Sequence, residues 1–222
     1  MTRALDAQRR EPISGETRSA VIFLHGYGAN AADLIGLADP LAEHMPDTLF
    51  ISPDAPEECI AAPMGRQWFP IPWIDGSSEE ESRAGLERAA ADLDAFLDGV
   101  MVDEDLLPEQ VMVLGFSQGT MMALHVVPRR EDAIAGIVAF SGRLLEPELL
   151  ADEAQSRPPV LLIHGDQDDV VPPQSLPLAA EALQGAGWTE VYAHVMKGTG
   201  HGIAPDGLSV ALAFMRDRLG LG

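Results

Sequence analysis

Residues 111–124 read VMVLGFSQGTMMAL, a sequence typical of a strand, a sharp turn and a helix. The apolar run over 111–114 predicts a buried strand, and the TMMAL run over 120–124 predicts a helix. Between them GFSQG at 115–119 has the G-x-S-x-G form, in the strand–turn–helix context that such a nucleophile elbow requires. Its two glycines suit a turn in which a Cβ would collide with neighbouring backbone. We therefore expect the Ser117 hydroxyl to stand above the sheet edge, at the N-terminus of the following helix.

On either side of this stretch, short apolar runs alternate with helical patterns. The predicted strands are 20–24, 48–52, 111–114, 133–140, 160–163 and 190–196. The first predicted helix begins at 31, is capped by Asn30, and is kinked or restarted at Pro40. The other predicted helices span 82–101, 118–127, 174–185 and 207–219. The strands are almost continuously apolar, as strands buried on both faces are. The pattern predicts a mostly parallel α/β sheet with helices on both faces, in one domain spanning 1–222.

Two segments fall outside this alternation, an N-terminal extension over 1–17 and a loop over 53–78. The loop contains five prolines, which exclude regular helix and central strand, and it contains Trp68, Phe69 and Trp73. Long loops in compact domains are commonly functional. We expect these three aromatic side chains to form one wall of a substrate pocket; packing into the protein's own core is the alternative.

A serine hydroxyl needs a histidine base, and one of the six histidines lies in the appropriate kind of loop. His201 lies in GTGHG at 198–202, after the last predicted strand and before the last helix, so it should emerge at the same sheet edge as the elbow. The other five lie in turns, at a helix end, within a helix or within a strand: His25, His44, His125, His164 and His194. We predict that His201 is the base.

The carboxylate that orients the histidine should lie between the serine and the histidine in chain order. HGDQDDVVP at 164–172 follows a predicted strand and offers Asp166, Asp168 and Asp169. Asp166 can shape the turn, and Asp169 can be a solvated neighbour. Spacing favours Asp168, with the other two left open.

The oxyanion of a tetrahedral intermediate needs backbone donors. The N–H of Gln118 follows the nucleophile, and the loop HGYG at 25–28 can supply the N–H of Tyr27. A dinucleotide-binding reading of these glycines fails because position 31 is alanine rather than the third glycine. No phosphate-binding GxxxxGK[ST] sequence and no clustered metal-ligand spacing occur, so we expect neither a cofactor nor a metal.

Composition narrows the range of partners. The 222 residues include 14 Lys+Arg and 35 Asp+Glu, a net charge of −21, which disfavours nucleic acid and anionic membrane surfaces. The single cysteine, Cys59, cannot form an internal disulfide. Apolar runs are far shorter than the roughly 18 residues of a membrane helix. The first residues, MTRALD, lack the apolar stretch of a secretory signal, so we expect a cytoplasmic protein without stable membrane insertion.

Four motifs together resemble the phospholipase/carboxylesterase family of α/β-hydrolases, which includes the acyl-protein thioesterases. They are FLHGYG at 23–28, GFSQG at 115–119, GDQDDVVP at 165–172 and GH at 200–201. The resemblance covers about residues 18–220. It implies an α/β-hydrolase fold without a large cap domain, and a lid-like segment at 53–78.

The same resemblance implies a triad of Ser117, Asp168 and His201, and an oxyanion hole of the Tyr27 and Gln118 N–H groups. It also implies hydrolysis without a cofactor. The expected function is a serine carboxylesterase that acts on small, largely uncharged esters of short to medium acyl chains through an acyl-enzyme. An acyl thioesterase or a lysophospholipase with the same triad is the nearest alternative, and a non-catalytic ligand-binding module is the alternative of another class. The expected partner is a small ester, and the sequence leaves monomer and homodimer open.

Overall fold

A seven-stranded sheet is the centre of the computed structural model, which describes residues 2–221. Its strands are β1 (Ala7–Arg10), β2 (Ser19–Leu24), β3 (Thr48–Pro53), β6 (Val111–Phe116), β7 (Gly136–Phe140), β8 (Val160–Gly165) and β9 (Val191–Met196), and a separate hairpin pairs β4 (Glu57–Glu58) with β5 (Arg66–Gln67). The order across the sheet is β1-β3-β2-β6-β7-β8-β9. Every neighbouring pair is parallel except β1 and β3. The predicted mostly parallel sheet is confirmed.

Helices cover both faces of this sheet. They are α1 (Ala31–Ile35), α2 (Ala38–Ala42), α3 (Pro72–Asp75), α4 (Glu79–Asp103), α5 (Gln118–Val126), α6 (Leu150–Glu153), α7 (Ser175–Gly185) and α8 (Pro205–Arg218). Successive residues of β2 point to opposite faces, so Ile22 joins the core under α4, α5 and α7, whereas Phe23 joins the core under α1, α2 and α8. Both faces are buried, which explains the continuously apolar strands.

The chain differs from the sequence pattern at several points, including the 53–78 loop, which contains the hairpin of β4 and β5 and the short helix α3. Residues 7–10, within the N-terminal extension, form edge strand β1, which was not predicted. The predicted strand at 133–140 begins only at Gly136. The first helix breaks at Gly36 and Leu37, which places Pro40 in the first turn of α2, where a missing N–H costs little.

Parallel pairing brings the carboxyl ends of the central strands to one edge of the sheet. The loops that leave β2, β6, β8 and β9 there contain all the predicted catalytic and oxyanion residues. Among residues 2–221, no helix combines the length and the apolar composition needed to cross a membrane.

Candidate active site

Ser117 occupies a strained turn between β6 and α5. Its φ of +55° and ψ of −114° lie in a region that non-glycine residues rarely adopt, and its N–H donates to the Phe140 carbonyl at 2.9 Å. Close packing maintains the turn, since a Cβ on Gly119 would lie 1.9 Å from the Leu24 carbonyl oxygen. The turn therefore needs glycine at 119, and it places the serine hydroxyl at the carboxyl edge of the sheet.

His201 links the serine to one of the three candidate aspartates. Its Nε2 lies 3.0 Å from Ser117 Oγ, and its Nδ1 lies 2.8 Å from Asp168 Oδ2. Because a carboxylate only accepts, Nδ1 carries the proton and Nε2 is left to accept the serine proton. The Phe116 ring packs against the imidazole, with ring centres 4.9 Å apart. These contacts fix the histidine in the tautomer and orientation of a base toward Ser117.

Asp168 is held as an anion despite its burial. Burial alone would raise its pKa, but hydrogen bonds from His201 and from two backbone N–H groups lower the pKa below its usual value. The backbone donors are Val171 at 2.8 Å and Val170 at 3.0 Å, both to Oδ1. Asp168 is thus poised to stabilise a positive charge on His201.

The other two aspartates of the loop lie elsewhere. Asp166 accepts the Gly198 N–H at 2.7 Å, which ties the aspartate loop to the loop that contains His201. Asp169 is exposed. Of the three alternatives, only Asp168 contacts His201.

A second histidine contacts the aspartate and was not singled out by the sequence. His164 is buried, with Nε2 2.9 Å from the Val171 carbonyl oxygen and 3.2 Å from Asp168 Oδ2. Its donated hydrogen bond fixes the turn that presents Asp168. The only signal for this role was its position four residues before Asp168.

The loop from His25 to Gly28 lies directly against the nucleophile. A Cβ on Gly26 would lie 3.2 Å from Ser117 Cβ. In the described part of the chain, the backbone N–H groups of Tyr27 and Gln118 donate to no protein acceptor. Two donors are therefore free on the side of the serine where an oxyanion would form.

His25 supports this loop from below rather than acting on substrate. It is fully buried, its Nδ1 donates to the Gly26 carbonyl at 2.8 Å, and its Nε2 accepts the Ala55 N–H at 3.0 Å. Burial lowers the pKa of His25, so the ring stays neutral. The indole N–H of Trp68 donates to the His25 carbonyl at 3.0 Å.

Trp68 and Phe69, which the sequence placed in a substrate-pocket wall, are buried in the structure. Trp68 is 0% exposed and Phe69 is 4% exposed, both within the core under α4 and α5. The Gln118 side chain holds this segment, accepting the Trp68 N–H at 2.9 Å and donating to the Phe69 carbonyl at 2.7 Å. Trp73, in α3, is 61% exposed and remains a candidate. Composition alone does not separate these three residues, because their burial depends on contacts distant in sequence.

Within residues 2–221, no three His, Cys, Asp or Glu side chains are grouped so as to hold a metal ion. The site therefore consists of one serine–histidine–aspartate chain beside two free backbone donors. This arrangement can activate a hydroxyl and stabilise an oxyanion.

Comparison with known proteins shows the family of this chain. The crystal structure of esterase PE8 superposes with a TM-score of 0.91 at 41% identity, covering 97% of this chain and 100% of that one. Acyl-protein thioesterase 1 of Saccharomyces cerevisiae is 30% identical over 213 residues, 91% of this chain and 93% of that protein. Esterase YpfH of Escherichia coli is 28% identical over 199 residues, 88% of this chain and 81% of that protein. The sequence profile of the phospholipase/carboxylesterase family matches residues 10–219, and the chain belongs to that family of α/β-hydrolases.

Proposed function

We propose that this protein hydrolyses carboxylic esters of short to medium acyl chains through an acyl-enzyme on Ser117. The observation that carries the proposal is the continuous chain from Ser117 Oγ through His201 to Asp168, with contacts of 3.0 and 2.8 Å. Family membership and the esterases among the relatives support ester hydrolysis.

In the acylation step, His201 Nε2 removes the Ser117 proton as Oγ attacks the substrate carbonyl. The resulting imidazolium lies against the Asp168 carboxylate, which the Val170 and Val171 N–H groups keep ionised. The tetrahedral oxyanion accepts hydrogen bonds from the Tyr27 and Gln118 N–H groups, and each such donor is typically worth about 10²- to 10³-fold in kcat. His201 then protonates the leaving alcohol, and the acyl group remains on Ser117.

Deacylation repeats the same proton transfers with water as the nucleophile. His201 takes a proton from water, the hydroxide attacks the acyl carbonyl, and the proton returns to Ser117 as the carboxylic acid leaves. In both steps every proton that His201 removes is returned to the leaving group or to Ser117. The reaction therefore balances with the triad, the substrate and water alone.

Acyl thioesters are the second candidate substrate class. The triad and the oxyanion donors act on the acyl carbonyl, which is common to both classes, and the yeast relative is named an acyl-protein thioesterase. The two classes differ only in the leaving group, an alcohol or a thiol.

We further propose that residues 53–78 cover one side of the acyl site as a fixed segment within a single domain. The Gln118 side chain accepts a hydrogen bond from the Trp68 N–H and donates one to the Phe69 carbonyl, which supports a fixed rather than a swinging segment. Within that segment, Trp73 is the exposed aromatic that can meet a substrate.

The test is a panel of p-nitrophenyl esters and the corresponding acyl thioesters from two to twelve carbons, with the wild type and Ser117→Ala assayed side by side. The proposal predicts turnover of the esters by the wild type, with a maximum among the shorter chains, and none above background with the variant. A clear preference for thioesters at every length would favour the second candidate. No turnover of either class by the folded wild type would support a non-catalytic binding module.

A further inference from the structure

Arg143 is a cation without a partner in a strongly acidic protein. The chain has 35 acidic and 14 basic residues, yet within residues 2–221 the Arg143 guanidinium makes neither a hydrogen bond nor a salt bridge. It is about half-buried, and burial lowers its pKa while the more distant Glu79 opposes that effect. Arginine nevertheless stays charged at neutral pH. Its unused N–H donors have lost part of their water without gaining a protein acceptor.

The backbone at Arg143 adjoins the nucleophile. The Phe140 carbonyl at the end of β7 accepts the Ser117 N–H at 2.9 Å. A Cβ on Gly142 would lie 2.8 Å from the Ser117 carbonyl oxygen and 2.4 Å from the Thr120 side chain. Arg143 is the next residue, and consecutive Cα atoms are only about 3.8 Å apart. Its side chain therefore starts at the rim of the active site.

Trp73 steadies the guanidinium on that rim. The Arg143 Cζ atom lies 4.6 Å from the centre of the Trp73 ring. Trp73 belongs to α3, where Asp75 accepts hydrogen bonds from the Tyr27 hydroxyl and the Ile71 N–H, both at 2.8 Å. The same short helix thus contacts both the oxyanion loop and Arg143. A cation–π contact leaves the arginine N–H groups available to a ligand.

A largely apolar groove of about 570 Å³ begins beside Arg143. Leu144 and Pro147 line one side, and Leu178 and Ala179 of α7 line the other. A cavity of only about 10 Å³, lined by Thr120 and Gly142, shares Ser175 and Ala179 with the groove, so the groove lies close to residues that pack against the elbow without a channel between them. The groove suits a short run of methylenes, each worth about 0.8 kcal/mol when buried.

We propose that Arg143 binds a negative charge carried by the acyl chain of the substrate, whose methylenes lie between Ser117 and the end of this groove next to Arg143. The substrate class is then an ester or thioester whose acyl group ends in a carboxylate, in place of the largely uncharged esters expected from the sequence. This inference rests on the proposed ester hydrolysis at Ser117.

The overall charge of −21 does not oppose such a substrate at close range. Surface charges are screened beyond about 8 Å at physiological ionic strength, whereas a contact at Arg143 is direct. Glu181 is the acidic residue that lines the groove, and no salt bridge joins it to Arg143. Glu181→Gln should therefore raise kcat/KM moderately for the charged substrate and leave kcat/KM for a neutral substrate unchanged.

The test compares the mono-p-nitrophenyl ester of adipic acid with p-nitrophenyl hexanoate. Both have six-carbon acyl chains and the same leaving group, and they differ in the terminal carboxylate. We expect Arg143→Gln to lower kcat/KM for the adipate ester by about 10- to 100-fold, mainly through KM, because hydrogen bonds to charged groups are lost. Hexanoate should change by less than about threefold.

Arg157→Gln is the matched control. Arg157 also lies over a tryptophan, Trp188, with Cζ 5.4 Å from the ring centre, but it precedes the amino end of β8, far along the strand from the active-site edge. The control removes one positive charge, one cation–π contact and the hydrogen bond that Arg157 Nε donates to the Ala186 carbonyl, all outside the groove, so the ratio of kcat/KM for the two substrates should stay at its wild-type value.

Three results would overturn the proposal. Equal losses on both substrates would make Arg143 a structural residue, and unchanged kinetics with adipate would leave it without a role in binding. If Arg143→Gln lowers kcat/KM only for a hexanoyl ester of an anionic phenol, such as 4-hydroxybenzenesulfonate, then Arg143 binds a negative charge on the leaving group and not on the acyl chain. Failure of the proposed function is a separate result, because hexanoate itself would then not be hydrolysed or would be hydrolysed equally by Ser117→Ala.

Discussion

Replacing Trp68 with alanine tests whether this side chain packs in the protein core or contacts the substrate. Trp68 is the largest of the fully buried side chains, and its indole N–H donates to the His25 carbonyl at 3.0 Å. Truncating a buried tryptophan typically costs about 3 to 5 kcal/mol of the free energy of unfolding, since the cavity left behind collapses only in part. The His25 carbonyl also loses its donor.

For a chain of this size, each kcal/mol lowers Tm by about 2 to 4 °C. Trp68→Ala should therefore lower Tm by roughly 6 to 20 °C. Trp73→Ala is the matched control, because Trp73 is 61% exposed, and it should shift Tm by no more than about 3 °C. Trp68→Phe keeps most of the ring and removes the N–H, so it should fall between the two.

The assay is differential scanning calorimetry of the three variants, together with kcat/KM on p-nitrophenyl esters of two to eight carbons. At a temperature where Trp68→Ala is folded, its chain-length profile should keep the wild-type shape. An almost unchanged Tm with a flattened chain-length profile would refute the core assignment and would restore Trp68 as a substrate-binding residue.

Three further outcomes follow from the site and its surroundings. Asp168→Asn should fold and lose about 10⁴-fold in kcat, because an amide at that position favours the wrong imidazole tautomer; Asp166→Asn should lose far less, and the reverse ranking in steady-state kinetics would contradict the assignment. The pKa of the buried His125 is lowered to about 4 by burial, with a further contribution from Arg129. The unfolded chain therefore binds a proton that the folded chain does not between about pH 6.5 and 4, and this histidine should cost the wild type about 3 kcal/mol of unfolding free energy as pH falls through that window. In urea titrations, the unfolding free energy of His125→Leu should fall less between pH 6.5 and 4 than that of the wild type. The same pH dependence in both proteins would refute this role of His125. Finally, EDTA followed by dialysis should leave ester turnover unchanged, and recovery of a lost rate on adding a metal would contradict a metal-free mechanism.

Most of the sheet was predictable because its central strands are buried on both faces. The six predicted strands all form; five are continuously buried apolar runs with few other stable placements, whereas β9 is an edge strand with a largely exposed burial pattern. Strand β1 was not predictable in this way. Its sequence, AQRR, is largely exposed and joins the sheet through backbone pairing with β3, so no apolar pattern marks it.

Some residues of the site are marked by local sequence, whereas others are marked only by the fold. Ser117 and His201 were predictable because a sharp glycine turn and a glycine-flanked loop fall at the carboxyl edge of a parallel sheet. The supporting contacts of His164 and of the Gln118 side chain were not, because each depends on segments that only the fold brings together. The role proposed for Arg143 was not predictable for the same reason, since its sequence neighbours show neither Trp73 nor the groove.

An acyl-enzyme on Ser117 can be tested by locating the acyl group during turnover. We would react the protein with p-nitrophenyl hexanoate, quench with acid, and measure intact mass and peptide masses against Ser117→Ala and His201→Ala. We expect a single hexanoyl adduct on the peptide that contains Ser117, absent from Ser117→Ala and formed far more slowly in His201→Ala. A hexanoyl adduct on another residue, or full ester turnover by Ser117→Ala, would contradict it.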